Sequence, residues 1–92
     1  MKVVYTDNAL QDLADILEYI ATKFPSAYRP FEARLRAVER RIGQWPHSAR
    51  VVAERPGVRV IPLIRYPYKI FYRVTEEAIE ILHIRHTSRQ DP

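Results

Sequence analysis

Two β-rich runs separated by three polar residues set the frame for what this chain can become. The stretch Arg65–Tyr66–Pro67–Tyr68–Lys69–Ile70–Phe71–Tyr72–Arg73–Val74 is dense in aromatic and β-branched residues, types that suit a pleated, half-buried surface. Thr75–Glu76–Glu77 interrupts it, and Ala78 to His86 is strand-like again. Runs of this kind joined by about three turn residues predict an antiparallel hairpin. Basic groups are threaded through it: Arg65, Lys69, Arg73, His83, Arg85 and His86, with Arg89 just beyond. A buried hairpin with a basic, aromatic fringe is where function is expected.

Upstream, Lys2 to Tyr5 predicts a short strand, and Thr6–Asp7–Asn8 offers N-cap oxygens for a helix. Leu10, Leu13, Leu17, Ile20 and Phe24 follow at spacings of three and four, one apolar stripe of a helix. Asp12, Asp15 and Glu18 lie off that stripe and read as a solvated face favoured by the helix dipole, sharing no constellation with a histidine. Phe24–Pro25–Ser26 ends the helix. A second begins either at a Ser26 cap or with Pro30 in the first helical position, where its missing N–H costs nothing. Phe31, Leu35, Val38, Ile42 and Trp45 form its stripe, and Gly43 and Pro46 bracket its end. The short break predicts an antiparallel helical hairpin.

After the loop at Pro46–His47–Ser48, Arg50 to Glu54 and Val58 to Ile64 predict strands around the turn Arg55–Pro56–Gly57. Pro62 points to an edge or a bulge, because proline cannot donate to a ladder. Helices followed by antiparallel strands make an α+β architecture: an N-terminal strand, then a helical hairpin packed on a three- to four-stranded antiparallel sheet. The 92 residues suit one domain spanning 1–92.

The chain has no cysteine, which excludes disulfides and thiolate metal sites. Its three histidines are scattered without metal-ligand spacing, so neither metal nor cofactor is expected. No apolar run approaches a membrane span, and Met1 to Tyr5 lacks a signal-peptide core; a cytoplasmic location is expected. The formal charge of +4 favours anionic partners, although such a value also simply serves solubility. Five arginines, Arg29, Arg34, Arg36, Arg40 and Arg41, crowd the second helix beside Glu32 and Glu39. They form a basic ridge or a solvated face with intrahelical pairs such as Glu32 with Arg36. His83 reads as a packed histidine, Tyr66, Tyr68, Phe71 and Tyr72 as sheet packing, and Arg73 with Glu80 as a cross-strand pair.

This order of elements resembles the RelE/ParE superfamily of type II toxin–antitoxin toxins across nearly the whole chain. The opening "YTDNALQDLADILEYIATKF" is similar to the family's first strand and helix. "VIPLIRYPYKIFYRV" resembles its central hairpin, and "ILHIRHTSRQDP" resembles the ParE-type ending, a strand running into histidine and arginine. The resemblance implies a toxin of a plasmid-stabilisation module, neutralised by a cognate antitoxin in a hetero-oligomer. On the ParE-like side it implies a non-enzymatic inhibitor of DNA gyrase, with Arg65 and Arg89 toward the target. On the RelE-like side it implies a ribosome-dependent messenger-RNA endoribonuclease. Lys69, at the place of the family's hairpin arginine, and Arg85 would then stabilise the phosphorane charge, and His86 would be the proton donor. A third possibility is a member that has lost toxicity and serves as a binding module. The superfamily's antitoxins wrap their toxins with an extended tail. Here the expected receptors are the arginine ridge, at Arg36 and Arg40, and the apolar seam between the helices and the sheet.

Overall fold

A computed structural model describes residues 1–88. Arg89 and the rest of the polar tail lie outside the described residues. The chain runs β1 (Val3–Tyr5), α1 (Asp7–Lys23), a 3₁₀ turn (Pro25–Ala27), α2 (Tyr28–Gln44), β2 (Arg50–Val51), β3 (Val58–Pro62), β4 (Tyr68–Val74) and β5 (Ile79–His86). The strands form one five-stranded sheet in the order β1-β5-β4-β3-β2. Strands β2 to β5 are the four antiparallel strands expected, and the expected N-terminal strand, β1, joins them as a fifth, parallel to β5, with Val3 opposite Ile79 and Tyr5 opposite Ile81. The intervening helices supply the crossover that a parallel pair requires.

Thr6 caps α1, its hydroxyl accepting from the Ala9 amide at 3.2 Å. The innermost residues of α1 are Ala9, Ile16 and Ile20, while Leu13 and Leu17 are half-buried and Leu10 is exposed. The true stripe is thus rotated from the one the leucines suggested. Phe24 and Trp45, the last members of their stripes, are both exposed. Each occupies the C-cap, with a φ of −141° for Phe24 and −130° for Trp45, so the helix ends before it can turn the ring inward. The start of α2 differs from both expectations. Ala27 is its N-cap with no side-chain bond, and Pro30 stands third in the helix, still within the turn whose N–H groups lack partners. Phe31, Leu35, Val38 and Ile42 are buried as their periodicity predicted.

These helical residues pack on Leu63, Ile70, Tyr72, Ile79, Ile81 and Ile84 to form the main core. Ile81 and Ile84 are three apart and could not share a face of a regular strand. The register of β4 against β5 shifts between Phe71 and Tyr72, which pair with His83 and Ile81, so Leu82 is the extra residue of a bulge. A bulge bends the strand and re-aims side chains. Leu82 and Phe71 thereby join Val52, Val58 and Val60 in a second, smaller cluster. The buried Tyr72 phenol donates to the Pro46 carbonyl at 2.7 Å, and Arg73 meets Glu80 at 2.8 Å, as expected.

The strands are shorter than their apolar runs. β2 stops at Val51 and β3 at Pro62. Arg65 leaves the ladder with a φ of +83°, in a turn closed by the Tyr66 amide on the Leu63 carbonyl at 2.9 Å. Gly57 turns the β2–β3 connection with a φ of +80°, a conformation glycine adopts without steric cost.

Candidate functional site

β5 runs five residues beyond its last partner on β1, Tyr5 opposite Ile81. Its outer edge would there expose unpaired backbone groups. The start of α1 covers part of it. The Thr6 amide donates to the Ile81 carbonyl at 3.0 Å and the Thr6 hydroxyl to the same oxygen at 2.9 Å. Further along α1, Asp12 Oδ2 accepts the Ile84 amide at 3.0 Å, and Asp12 Oδ1 accepts from Arg85 Nη1 at 2.9 Å. The other end of the Arg85 guanidinium lies 3.1 Å from His83 Nδ1. Guanidinium can only donate, so Nδ1 is an acceptor and the ring carries its proton on Nε2. The 3.8 Å between Nδ1 and Asp12 Oδ2 is therefore no hydrogen bond. Burial, and then the positive charge of Arg85, hold the His83 pKa below the usual histidine range against the weaker opposing pull of Asp12.

This cluster corrects the reading of Asp12 as part of a solvated face without histidine contact. Asp15 and Glu18 do remain exposed. Asp12 sits beside the rotated stripe of Ala9, Ile16 and Ile20, and a stripe centred on those residues would have revealed it.

Two clefts flank the sheet. The larger, about 690 Å³, lies between α2 and β3 and is lined by Arg34, Arg41, Arg50 and Lys69 over Val38, Ile61, Pro62 and Ile64. The second, about 560 Å³, lies between α1 and the far end of β5 and holds Asp12, Asp15, Tyr19, Tyr68, Arg85 and His86. The three residues assigned to the ribonuclease mechanism are divided by the sheet: Lys69 and Arg85 stand opposite each other on β4 and β5 and share a face, while His86, opposite Tyr68, is on the other. Lys69 lines the first cleft, and its ammonium stands 5.5 Å over the Phe71 ring. Arg85 and His86 line the second. His86 packs edge-on against Tyr68, with ring centroids 5.6 Å apart, and its Nδ1 is 2.7 Å from Ser88 Oγ. Tyr68 in turn stacks edge-on against Phe31 in the helix-side core.

Of the remaining predicted site residues, Arg65, Arg36 and Arg40 are on the surface, and Arg89 lies outside the described residues. Arg65 projects from its turn beside Pro30, Ala33 and Tyr66. Arg36 stands 4.0 Å from Glu32 and borders a small groove floored by Leu10, Leu13, Leu17 and Leu35. Arg40 is exposed. In the same region the Tyr5 phenol donates to Glu39 at 2.9 Å; burial first, and the Glu39 charge second, push its pKa far above the ordinary range. Among the described residues no group of three His, Cys, Asp or Glu side chains could hold a metal ion, and no helix is long and apolar enough to cross a membrane.

The model of the ParE toxin of type II toxin–antitoxin systems, parDE, matches residues 3–91. The chain belongs to the ParE toxin family. It is 33% identical over 89 residues to the toxin RelE2 of Caulobacter vibrioides, covering 96% of this chain and 97% of that protein. Its fold is similar to a chain of the chromosomal ParDE toxin–antitoxin system from P. aeruginosa, with a TM-score of 0.79 and 26% identity over 94% of this chain and 95% of that one. The YoeB/ParE toxin from Agrobacterium tumefaciens shares the fold with a TM-score of 0.62 and 15% identity, over 94% and 98% of the two chains. The protein is thus a type II toxin of the RelE/ParE superfamily, and the α+β architecture is that of its relatives.

Proposed function

We propose that this toxin acts as a ParE-like, non-enzymatic inhibitor of DNA gyrase in the cytoplasm and is neutralised by a cognate antitoxin in a hetero-oligomer of a plasmid-stabilisation type. The observation that carries the proposal is the position of His86, on the face of the sheet opposite to that of Lys69 and Arg85. Cleavage through a 2′-hydroxyl needs its proton donor and its cations around one phosphate. Lys69 lies in one cleft and His86 in the other, while the charge of Arg85 is already spent on Asp12. Arg65 is exposed on its turn and, with Arg89, is assigned to target contact. Arg36 and Arg40 are assigned to steering the antitoxin.

The deciding experiment sets two assays side by side with the purified toxin. Inhibition of gyrase supercoiling, or trapping of cleaved DNA, is the expected result. Absence of any gyrase effect, together with transcript cleavage on ribosomes, refutes it.

The RelE-like ribonuclease is the second reading, favoured by the name of the 33% identical Caulobacter toxin. It requires that His86→Ala and Lys69→Ala abolish toxicity. A non-toxic binding module, the third, would leave growth unaffected under strong expression.

A further inference from the structure

The second cleft, between α1 and the far end of β5, has walls that the proposed function does not use. Tyr19 and Phe24 stand on one side of it with ring centroids 6.0 Å apart, and they are 50% and 56% exposed. Tyr68 and His86 form the other side. Burial first, and then the Tyr19 phenol, push the Tyr68 pKa up, which places the two phenols within electrostatic reach of each other. The Ser88 amide donates to His86 Nδ1 at 3.2 Å. That nitrogen is thereby an acceptor, and the ring serves as one more aromatic wall.

The charge in this cleft has one unbalanced member. Arg85 is held by Asp12 at 2.9 Å. Asp15 accepts from Gln11 Nε2 through Oδ1 at 2.9 Å, and among the described residues no cation pairs with it. Lys23 shares the adjoining groove with Asp15 and Glu18 and is paired to neither. On a chain of formal charge +4, a hollow with aromatic walls and an unpaired carboxylate stands apart from the basic surface.

We infer that this cleft receives an arginine side chain from a segment of a protein partner, its guanidinium laid against the Tyr19 and Phe24 rings and hydrogen-bonded to Asp15. The face of an aromatic ring attracts a cation. Guanidinium is planar, stacks on such faces, and carries donors that match a carboxylate, whereas a lysine ammonium is more strongly hydrated and loses more on entry. A volume of about 560 Å³ lies in the range that accepts a side chain with its flanking backbone rather than a single ion. A phosphate would meet Asp15 as a like charge, and the guanidinium of Arg85 is already engaged. The inference goes beyond the proposed function, because the receptors expected for the antitoxin are basic and apolar, and this one is acidic and aromatic.

The test titrates the isotope-labelled full chain with acetyl-Gly-Arg-Gly-amide, with its lysine and citrulline counterparts, and with uridine monophosphate, following amide shifts by nuclear magnetic resonance. The arginine peptide is expected to bind at about millimolar strength, with its shifts confined to the cleft. The citrulline peptide keeps the shape without the charge and should bind about tenfold more weakly. Asp15→Asn should weaken arginine binding about threefold, and Tyr19→Ala with Phe24→Ala about tenfold. All three side chains are exposed, so both variants should retain the wild-type spectrum elsewhere, and Asp15→Asn alone carries the test if the double variant does not fold. Equal binding of the arginine and citrulline peptides, or shifts outside the cleft, overturns the inference. Tighter binding of uridine monophosphate than of the arginine peptide assigns the cleft to nucleotides and overturns it too. Peptide binding that tightens tenfold or so when Arg89 is replaced by alanine assigns the cleft to the chain's own arginine instead of a partner's.

Discussion

Replacing Asp12 with alanine should be among the most damaging single changes available to a polar residue of this fold. The carboxylate is 16% exposed and its Arg85 partner 28%, so solvent screens the pair only in part. The substitution leaves the Ile84 amide, on the uncovered edge of β5, without its acceptor. An unsatisfied, largely buried N–H costs about 1–3 kcal/mol. The loss of the Arg85 contact adds about 1 kcal/mol, since the guanidinium can swing toward water. The sum is about 2–4 kcal/mol, against a total stability of roughly 5–14 kcal/mol for a domain of this size. Asp12→Asn keeps one acceptor and should cost about half as much.

The internal comparison is Arg73 with Glu80, whose 2.8 Å contact is as short as that of Arg85 with Asp12. Arg73 is 54% exposed, and Glu80→Ala should cost about 0.5 kcal/mol or less. Urea unfolding monitored by circular dichroism, with the m-value required to stay constant, reads both. Equal losses from Asp12→Ala and Glu80→Ala would refute the reasoning, because distance rather than the rescued strand edge would then set the energy.

The lowered His83 pKa means that the unfolded chain binds a proton more readily than the fold does. Stability is therefore expected to be fully present above pH 6.5, the unperturbed value, and to decline as pH falls below it. Replacing His83 with glutamine should flatten that decline in thermal melts from pH 7 to pH 5, and an unchanged slope would clear His83 of the effect. Tyr5 has the opposite sign. Its raised pKa makes stability fall as pH climbs above 10, and Tyr5→Phe should remove that fall in alkaline unfolding curves. Under the gyrase proposal, Lys69→Ala and His86→Ala stay toxic when expressed without antitoxin, and a growth assay in which both lose toxicity would reverse the choice of activity. Reversing Arg36 and Arg40 to glutamate should slow antitoxin association and weaken its salt dependence while leaving the fold intact, since Arg36 is paired only at 4.0 Å and Arg40 is exposed. An association rate unchanged at low salt would remove both residues from the encounter.

Where one interaction dominates, the pattern in the sequence matches the structure. The α2 stripe is buried as its spacing required, and the β4–β5 hairpin turns where three polar residues interrupt the apolar runs, with the Thr75 amide on the Ala78 carbonyl at 2.8 Å. Pattern and structure part where two requirements compete over a boundary. Phe24 and Trp45 fit their stripes, but each falls at a helix end set by the proline that follows it. Ile64 continues the apolar run of β3, yet the positive φ of Arg65 turns the chain away first. The parallel pairing of β1 was invisible because three residues carry little pattern, and their partner lies 76 positions along the chain, from Val3 to Ile79.

The Asp12 cluster was hidden for a different reason, and it bears on the activity. Helical periodicity ranks residues by side-chain hydrophobicity, so three conspicuous leucines outweighed Ala9, the residue that sits deepest. Shifting the stripe onto Ala9 places Asp12 at its border, over the part of β5 that β1 is too short to cover. A carboxylate is suited to that place because it satisfies a strand amide and a neighbouring cation together. The same bond removes Arg85 from the pool of cations available to a substrate phosphate. A ribonuclease reading must therefore break the α1–β5 contact before Arg85 can act, giving up part of the stability that Asp12 supplies. A gyrase inhibitor needs no such rearrangement, and Asp12→Ala then separates the two readings. At a temperature where the variant remains folded, releasing Arg85 should raise ribosome-dependent cleavage if the toxin is a nuclease. Gyrase inhibition should be untouched by it, and enhanced cleavage by this variant would count directly against the proposal.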